Sequence, residues 1–189
     1  MKQRLTFTDI LVTIMLGVVF GIIMRFWDSL YDVVGGFLPV GKQLIYGMWF
    51  MVGPFAFLLL RKRGVALLAS VAAASLSALM GHGLQTLLYG FVQGLGAELI
   101  FMLFAYRRFD MIVAGLAGIG SLVAGFALDV VYGYIAYEPW ALFVKYGLRT
   151  ISAFVFTGVF AYYIVKALER TGVTNSLRPV DKSEYDQLR

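Results

Sequence analysis

Gln85, Tyr89 and Gln93 recur every four residues within an apolar run, so on an α-helix they form one stripe about 12 Å long. Tyr46, Trp49 and Gly53 stand at i, i+3 and i+7, which sets two aromatic rings and a gap on one helical face. Asp129 and Tyr132 repeat the i, i+3 relation. If these three faces converge, they enclose a half-deep pocket with stacking walls, amides that both donate and accept, and a carboxylate. A pocket of that kind suits a flat, polar, preferably cationic heterocycle.

Glu98 is a second acid within such a run. It lies about 21 Å along its helix from the outer end, whereas Asp129 lies about 27 Å from the inner face and is within reach of outer water. An ionisable group at mid-bilayer costs about 2.5–3.5 kcal/mol on insertion scales, so each acid needs a partner or a purpose. We assign Glu98 to the deep end of the pocket, although at ~100° per residue it stands roughly 140° around the helix from Gln93. Unwinding around Gly94 and Gly96 would be needed to bring it back.

Each group also has a plainer use. The glutamines can hydrogen-bond neighbouring helices, Asp129 can pair with Arg149, and Glu98 can face a different neighbour. Trp27, Tyr31, Tyr137 and Trp140 fit an interfacial aromatic belt. His82, the only histidine and flanked by glycines, reads as an exposed turn residue and cannot build an all-histidine metal site.

The elements that carry these residues must be membrane helices. The 189 residues are 60% hydrophobic and only 14% charged, with mean hydropathy +0.81, which is far from the composition of soluble domains. About 20 apolar residues cross ~30 Å of hydrocarbon as a helix. The apolar runs place spans at 10–31, 43–60, 64–81, 84–105, 111–135 and 140–166. Between them lie turns such as Arg61-Lys62-Arg63-Gly64, Gly81-His82-Gly83, Arg107-Arg108-Phe109-Asp110 and Glu138-Pro139. The runs are continuous, without the period-two alternation of barrel strands. The expectation is an all-α bundle of six transmembrane helices over residues 1–170, followed by a polar tail over 171–189. The first run continues to Tyr31 without a small-residue cleavage pattern, so no cleavable signal is expected.

Charge sets the orientation. With the N-terminus inside, the cytoplasmic side holds Lys2, Arg4, Arg61, Lys62, Arg63, Arg107, Arg108, Lys166, Arg170, Arg178, Lys182 and Arg189, out of 16 basic residues in all. Only Arg25, Lys42, Lys145 and Arg149 fall toward the other side. That asymmetry predicts both termini in the cytoplasm. The pI near 9.5 therefore reflects helix-edge charge, and nucleic acid is excluded as a partner.

Intramembrane enzymes are disfavoured, because the chain carries no His-Glu-x-x-His zinc motif, no Gly-x-Ser-x-Gly elbow and no phosphate loop. No cysteine is present for thiol or thiolate chemistry. No catalytic residue, metal site or cofactor is expected, and any ATP must be hydrolysed by partner subunits. Neither an inverted repeat nor a broken helix supports a stand-alone secondary carrier, which ranks second to a capture subunit. For partner contact the candidate is Gly17 and Gly21 in span one, whose four-residue spacing lets another helix approach closely. Small residues also line span three from Ala69 to Ala78 and span five from Gly115 to Gly125, where packing within the bundle is the plain reading.

The segments Gln43-Leu-Ile-Tyr-Gly-Met-Trp-Phe-Met-Val-Gly-Pro54 and Leu87-Leu-Tyr-Gly-Phe-Val-Gln-Gly-Leu-Gly-Ala-Glu-Leu99, with the turn Arg61-Lys-Arg-Gly64 between them, resemble the YkoE family. Its members are the substrate-capture S components of energy-coupling-factor (ECF) vitamin transporters. The likeness spans roughly residues 5–168. It implies a bacterial plasma-membrane protein that captures thiamine or its hydroxymethylpyrimidine precursor for ATP-driven uptake. It also implies a transmembrane coupling subunit and a cytoplasmic ATPase pair as partners. S components generally meet the coupling subunit through small-residue faces of their first helices, and Gly17 and Gly21 match that type in place of an Ala-x-x-x-Ala pattern. The chemistry is compatible: Tyr46, Trp49 and Tyr89 to stack, Gln85 and Gln93 to read a pyrimidine edge, and Glu98 or Asp129 to offset the thiazolium charge.

Overall fold

The computed structural model describes residues 5–135, 138–172, 174 and 177. Lys2, Arg4, Tyr137 and most of the expected tail, including Arg178, Lys182 and Arg189, lie outside them. The regular elements among the described residues are all helices, and no strand occurs among them. α1 runs Phe7–Phe37, and a 3-10 turn, Gly41–Ile45, leads into α2, Met48–Leu60. α3, Val65–Ser77, ends in a π turn over Ala78–His82; α4 follows at Gln85–Leu103 and α5 at Met111–Val131. α6, Pro139–Phe154, continues through a π segment into α7, Ala161–Arg170. Together these make six stretches long and apolar enough to cross a membrane.

Local chemistry explains where the helices start and stop. Thr6 caps α1 in a capping box: Asp9 N–H donates to the Thr6 hydroxyl, and Thr6 N–H donates to Asp9 Oδ2 at 2.7 Å. Lys62, in the α2–α3 turn, donates to the same Asp9 oxygen. α1 extends to Phe37, six residues past the boundary expected at 31. The helix runs on through Gly35 and Gly36 and stops at Leu38, which precedes Pro39 and leaves the helical region (φ −136°, ψ 82°), because the proline ring disfavours helical angles in its predecessor.

α2 is the central helix, with every residue from Phe50 to Leu60 buried. The others surround it and turn large apolar side chains such as Met15, Val19, Leu103 and Val123 outward, as helices facing lipid do. Small residues set how closely the helices approach. A Cβ on Gly17 would lie 3.0 Å from both the Ala69 carbonyl oxygen and the Ala73 nitrogen of α3, and one on Gly21 would lie 3.0 Å from the Ala73 carbonyl. Both glycines are buried. The face expected to meet a coupling subunit is thus the α1–α3 seam inside the bundle, because only glycine lets these backbones come so close. The Gly53 gap expected in span two is likewise closed by α3, with Ser70 Oγ 2.9 Å from where a Cβ would stand.

Candidate ligand cavity

The helices enclose a cavity of about 810 Å³ at the end of the bundle that carries the Gly81-His82-Gly83 turn. Three expected faces meet there, since Tyr46 and Trp49 from α2 and the turn before it, Gln85, Tyr89 and Gln93 from α4, and Asp129 from α5 all line it. A fourth wall comes from α1, where Met24, Asp28 and Tyr31 fall at i, i+4 and i+7. That stripe was readable in the sequence as an acid inside an apolar run, and reading Tyr31 as belt obscured it. Ser70, Lys145 and Arg149 also belong to the lining.

Ser152 of α6 fixes the aromatic corner by accepting from Gly47 N–H at 2.8 Å and donating to the Leu44 carbonyl at 2.6 Å. On that turn the Trp49 ring sits 5.0 Å from Tyr31, edge-on, and 5.0 Å from Tyr46. The Arg149 guanidinium lies 3.6 Å over the Tyr46 ring. That ring face is therefore already engaged by a cation, while Trp49 and Tyr31 present the edge-to-face pair. Trp27, read as belt, instead donates its indole N–H to the Ile45 carbonyl at 2.9 Å and steadies the same turn. Trp140 is 71% exposed, where an interfacial ring belongs.

Asp129 is engaged through both oxygens. Its Oδ1 accepts from the Tyr89 hydroxyl at 2.7 Å, and its Oδ2 from the Tyr146 hydroxyl at 2.6 Å and from Arg149 at 3.4 Å. Arg149 also donates to Gln43 Oε1 at 2.7 Å. This buried network orders α4, α5, α6 and the turn before α2 around one ion pair. Tyr132 caps α5 with its ring stacked 6.1 Å from Tyr89; it buttresses the wall from outside the lining. Gln85 donates to the Tyr134 hydroxyl at 3.2 Å.

Glu98 is elsewhere. Its Oε1 accepts from Gly64 N–H at 2.6 Å, and its Oε2 from Ala66 and Leu67 N–H at 3.1 and 3.3 Å. The carboxylate thus caps α3 at the opposite end of the bundle, where a helix N-terminus offers free amides and a positive dipole end. α4 stays helical through Gly94 and Gly96, so the unwinding that would have turned Glu98 into the pocket is absent. Burial first, and then the Glu98 charge, push the hydroxyl of Tyr106 in the following turn up to about 12.

Asp28 Oδ2 is buried and accepts no well-aligned hydrogen bond among the described residues. His82 Nε2 stands 2.7 Å from it, at ion-pair distance, and Arg25 at 3.9 Å. His82 is an exposed residue of the turn, as expected, and it also lines the cavity.

The chain matches, over residues 8–124, a family model described as "ABC-type cobalt transport system, permease component". It is 34% identical over 173 residues to the "Putative HMP/thiamine permease protein YkoE" of Bacillus subtilis (strain 168), covering 89% of this chain and 87% of that one. It is also similar to a solved structure described as an S-component of an ECF transporter, with TM-score 0.86 and 32% identity over 92% of this chain and 90% of that one.

Proposed function

Because the chain belongs to the YkoE-like family of ECF-transporter S components, and so is a multi-pass plasma-membrane transport protein and not an enzyme, we propose that its cavity captures thiamine for uptake driven by partner ATPases. The observation that carries this reading is the combination of walls around one cavity of about 810 Å³. That space lies within the usual range for small-molecule sites, about 300–1,000 Å³. Edge-to-face aromatics from α1 and α2, two glutamine amides from α4 and acidic side chains from α1 and α5 match a ligand that joins an aminopyrimidine to a charged thiazolium ring.

In this reading Trp49 and Tyr89 stack on the ligand rings, and Gln85 and Gln93 hydrogen-bond the pyrimidine edge. Tyr46 and Asp129 act through Arg149 and the tyrosines they hold. The cavity opens outward and both termini lie in the cytoplasm. The support is that Arg61, Lys62, Arg63, Arg107 and Arg108 gather in the turns at the end opposite the cavity, the side basic residues favour. A transmembrane coupling subunit would then meet a lipid-exposed face other than the Gly17–Gly21 seam.

Capture of the neutral pyrimidine precursor alone is a second reading, favoured by one observation: Arg149 already balances Asp129. Titration calorimetry on the purified chain without ATP tests both. Saturable heat with thiamine is expected. Heat with the precursor alone would move the assignment to the second reading, and heat with neither, in folded protein, would overturn both.

A further inference from the structure

The cavity has an uneven distribution of charge. On the α6 side, Lys145 and Arg149 face it against the single carboxylate of Asp129, whose two oxygens already take three donors. A cationic ring gains little there. On the α1 side stands Asp28, whose Oδ2 is shielded from solvent yet accepts no well-aligned hydrogen bond among the described residues. Asp28 lines the cavity with its side chain 20% exposed, so a positive group in the cavity can reach this carboxylate and is attracted by it.

His82 is the group now beside it, with Nε2 2.7 Å from Oδ2. The other ring nitrogen, Nδ1, lies 3.1 Å from the Ser77 carbonyl. Both nitrogens therefore face oxygen acceptors. A neutral imidazole has one N–H and can point it at one of them; only the doubly protonated ring can point an N–H at both. The remaining charges near the pair are Arg25, whose side chain is 49% exposed, and Asp32, one turn further along α1. From α4 the adjoining residues are the uncharged Gln85 and Thr86. His82 is flanked by glycines in the left-handed region: Gly81 and Gly83 have φ of +108° and +77°, and a Cβ on either would meet nothing within 4 Å.

We propose that Asp28 is the counter-ion for the positive ring of the ligand and that the His82 imidazolium holds the same carboxylate until the ligand arrives. Binding of a cation then displaces His82, whose Nε2 proton passes to solvent while the Nδ1–H stays on the Ser77 carbonyl. The inference rests on the reading that a cationic ligand enters this cavity. It adds a proton-linked step, and that step discriminates between charged and neutral ligands of the same shape.

Calorimetry on the full chain tests it with thiamine and with its neutral thiophene isostere, in buffers of different ionisation enthalpy between about pH 6 and 8, where imidazole changes charge. Thiamine is expected to release protons and to bind more weakly as pH falls; the isostere should do neither. Asp28→Asn should weaken thiamine about tenfold or more relative to the isostere, and His82→Gln should abolish both the proton release and the pH dependence of the thiamine-to-isostere affinity ratio. Should Asp28→Asn fail to fold, the wild-type proton count and His82→Gln decide. Thiamine and isostere binding alike without proton exchange, or Asp28→Asn weakening both equally, would overturn the inference and leave the cavity's ligand intact. A wild type that binds neither compound would instead remove the reading it rests on.

Discussion

The Glu98 carboxylate on α4 closes over the start of α3, with its Oε1 2.6 Å from the Gly64 amide. Hydrogen bonds to a buried charge contribute about 1.5–3 kcal/mol each, and an amide in its place must point its NH2 at amides that are themselves donors. Glu98→Gln should therefore lower the melting temperature in detergent while leaving thiamine affinity within about twofold. A selective loss of affinity at unchanged stability would return Glu98 to the ligand site.

Asp129 and Arg149 are buried together, and removing one leaves the other charge without its counter-ion. Asp129→Asn should cost about 3–5 kcal/mol. The double variant Asp129→Asn with Arg149→Met should recover part of that, because no unpaired charge remains. Thermal unfolding of the three variants makes the cycle. Additive losses would mean that the 3.4 Å pair carries no coupling.

Leucine at Gly17 or Gly21 should reduce folded yield on size-exclusion chromatography and lower binding and transport together. The reason is steric, since α3 backbone atoms stand 3.0 Å from the position of the first added carbon and backbone cannot step aside as a flexible side chain can. Transport lost with binding intact would place this seam at the coupling subunit after all.

Stacking on an aromatic ring is worth about 1–3 kcal/mol per heterocycle, so Trp49→Ala should weaken thiamine by that amount and Trp49→Phe by much less. Tryptophan fluorescence gives a second measure. Quenching on ligand addition should vanish in Trp49→Phe, because Trp27 packs on Phe156 and Trp140 is exposed. Quenching that survives would move the ligand away from the α2 wall.

Much of this was legible without coordinates because the bilayer imposes strong rules. Long apolar runs broken by short charged turns leave only helices as a solution, and all six spans appear in the structure. The i, i+4 stripe of Gln85, Tyr89 and Gln93 survives folding because helical geometry is local, while Tyr46 keeps its place beside Trp49 from the turn before α2. The aromatic and amide faces were visible as stripes before it was known that they meet.

Tertiary structure alone decided which stripe faces which neighbour. Small residues permit close approach equally to a partner or to the next helix, and only the packing of α1 on α3 assigned Gly17 and Gly21 to the interior. Carboxylates are more ambiguous still, for their role depends on what charge or amide lies across a gap that sequence does not span. Glu98 found the free amides of α3, 31 to 34 residues earlier in the chain, Asp129 found Arg149 and two tyrosines, and Asp28 found the histidine of a turn 54 residues away. Helical periodicity sets the angle at which each acid leaves its own helix; long-range contacts set what it meets, and that is where its chemistry is decided.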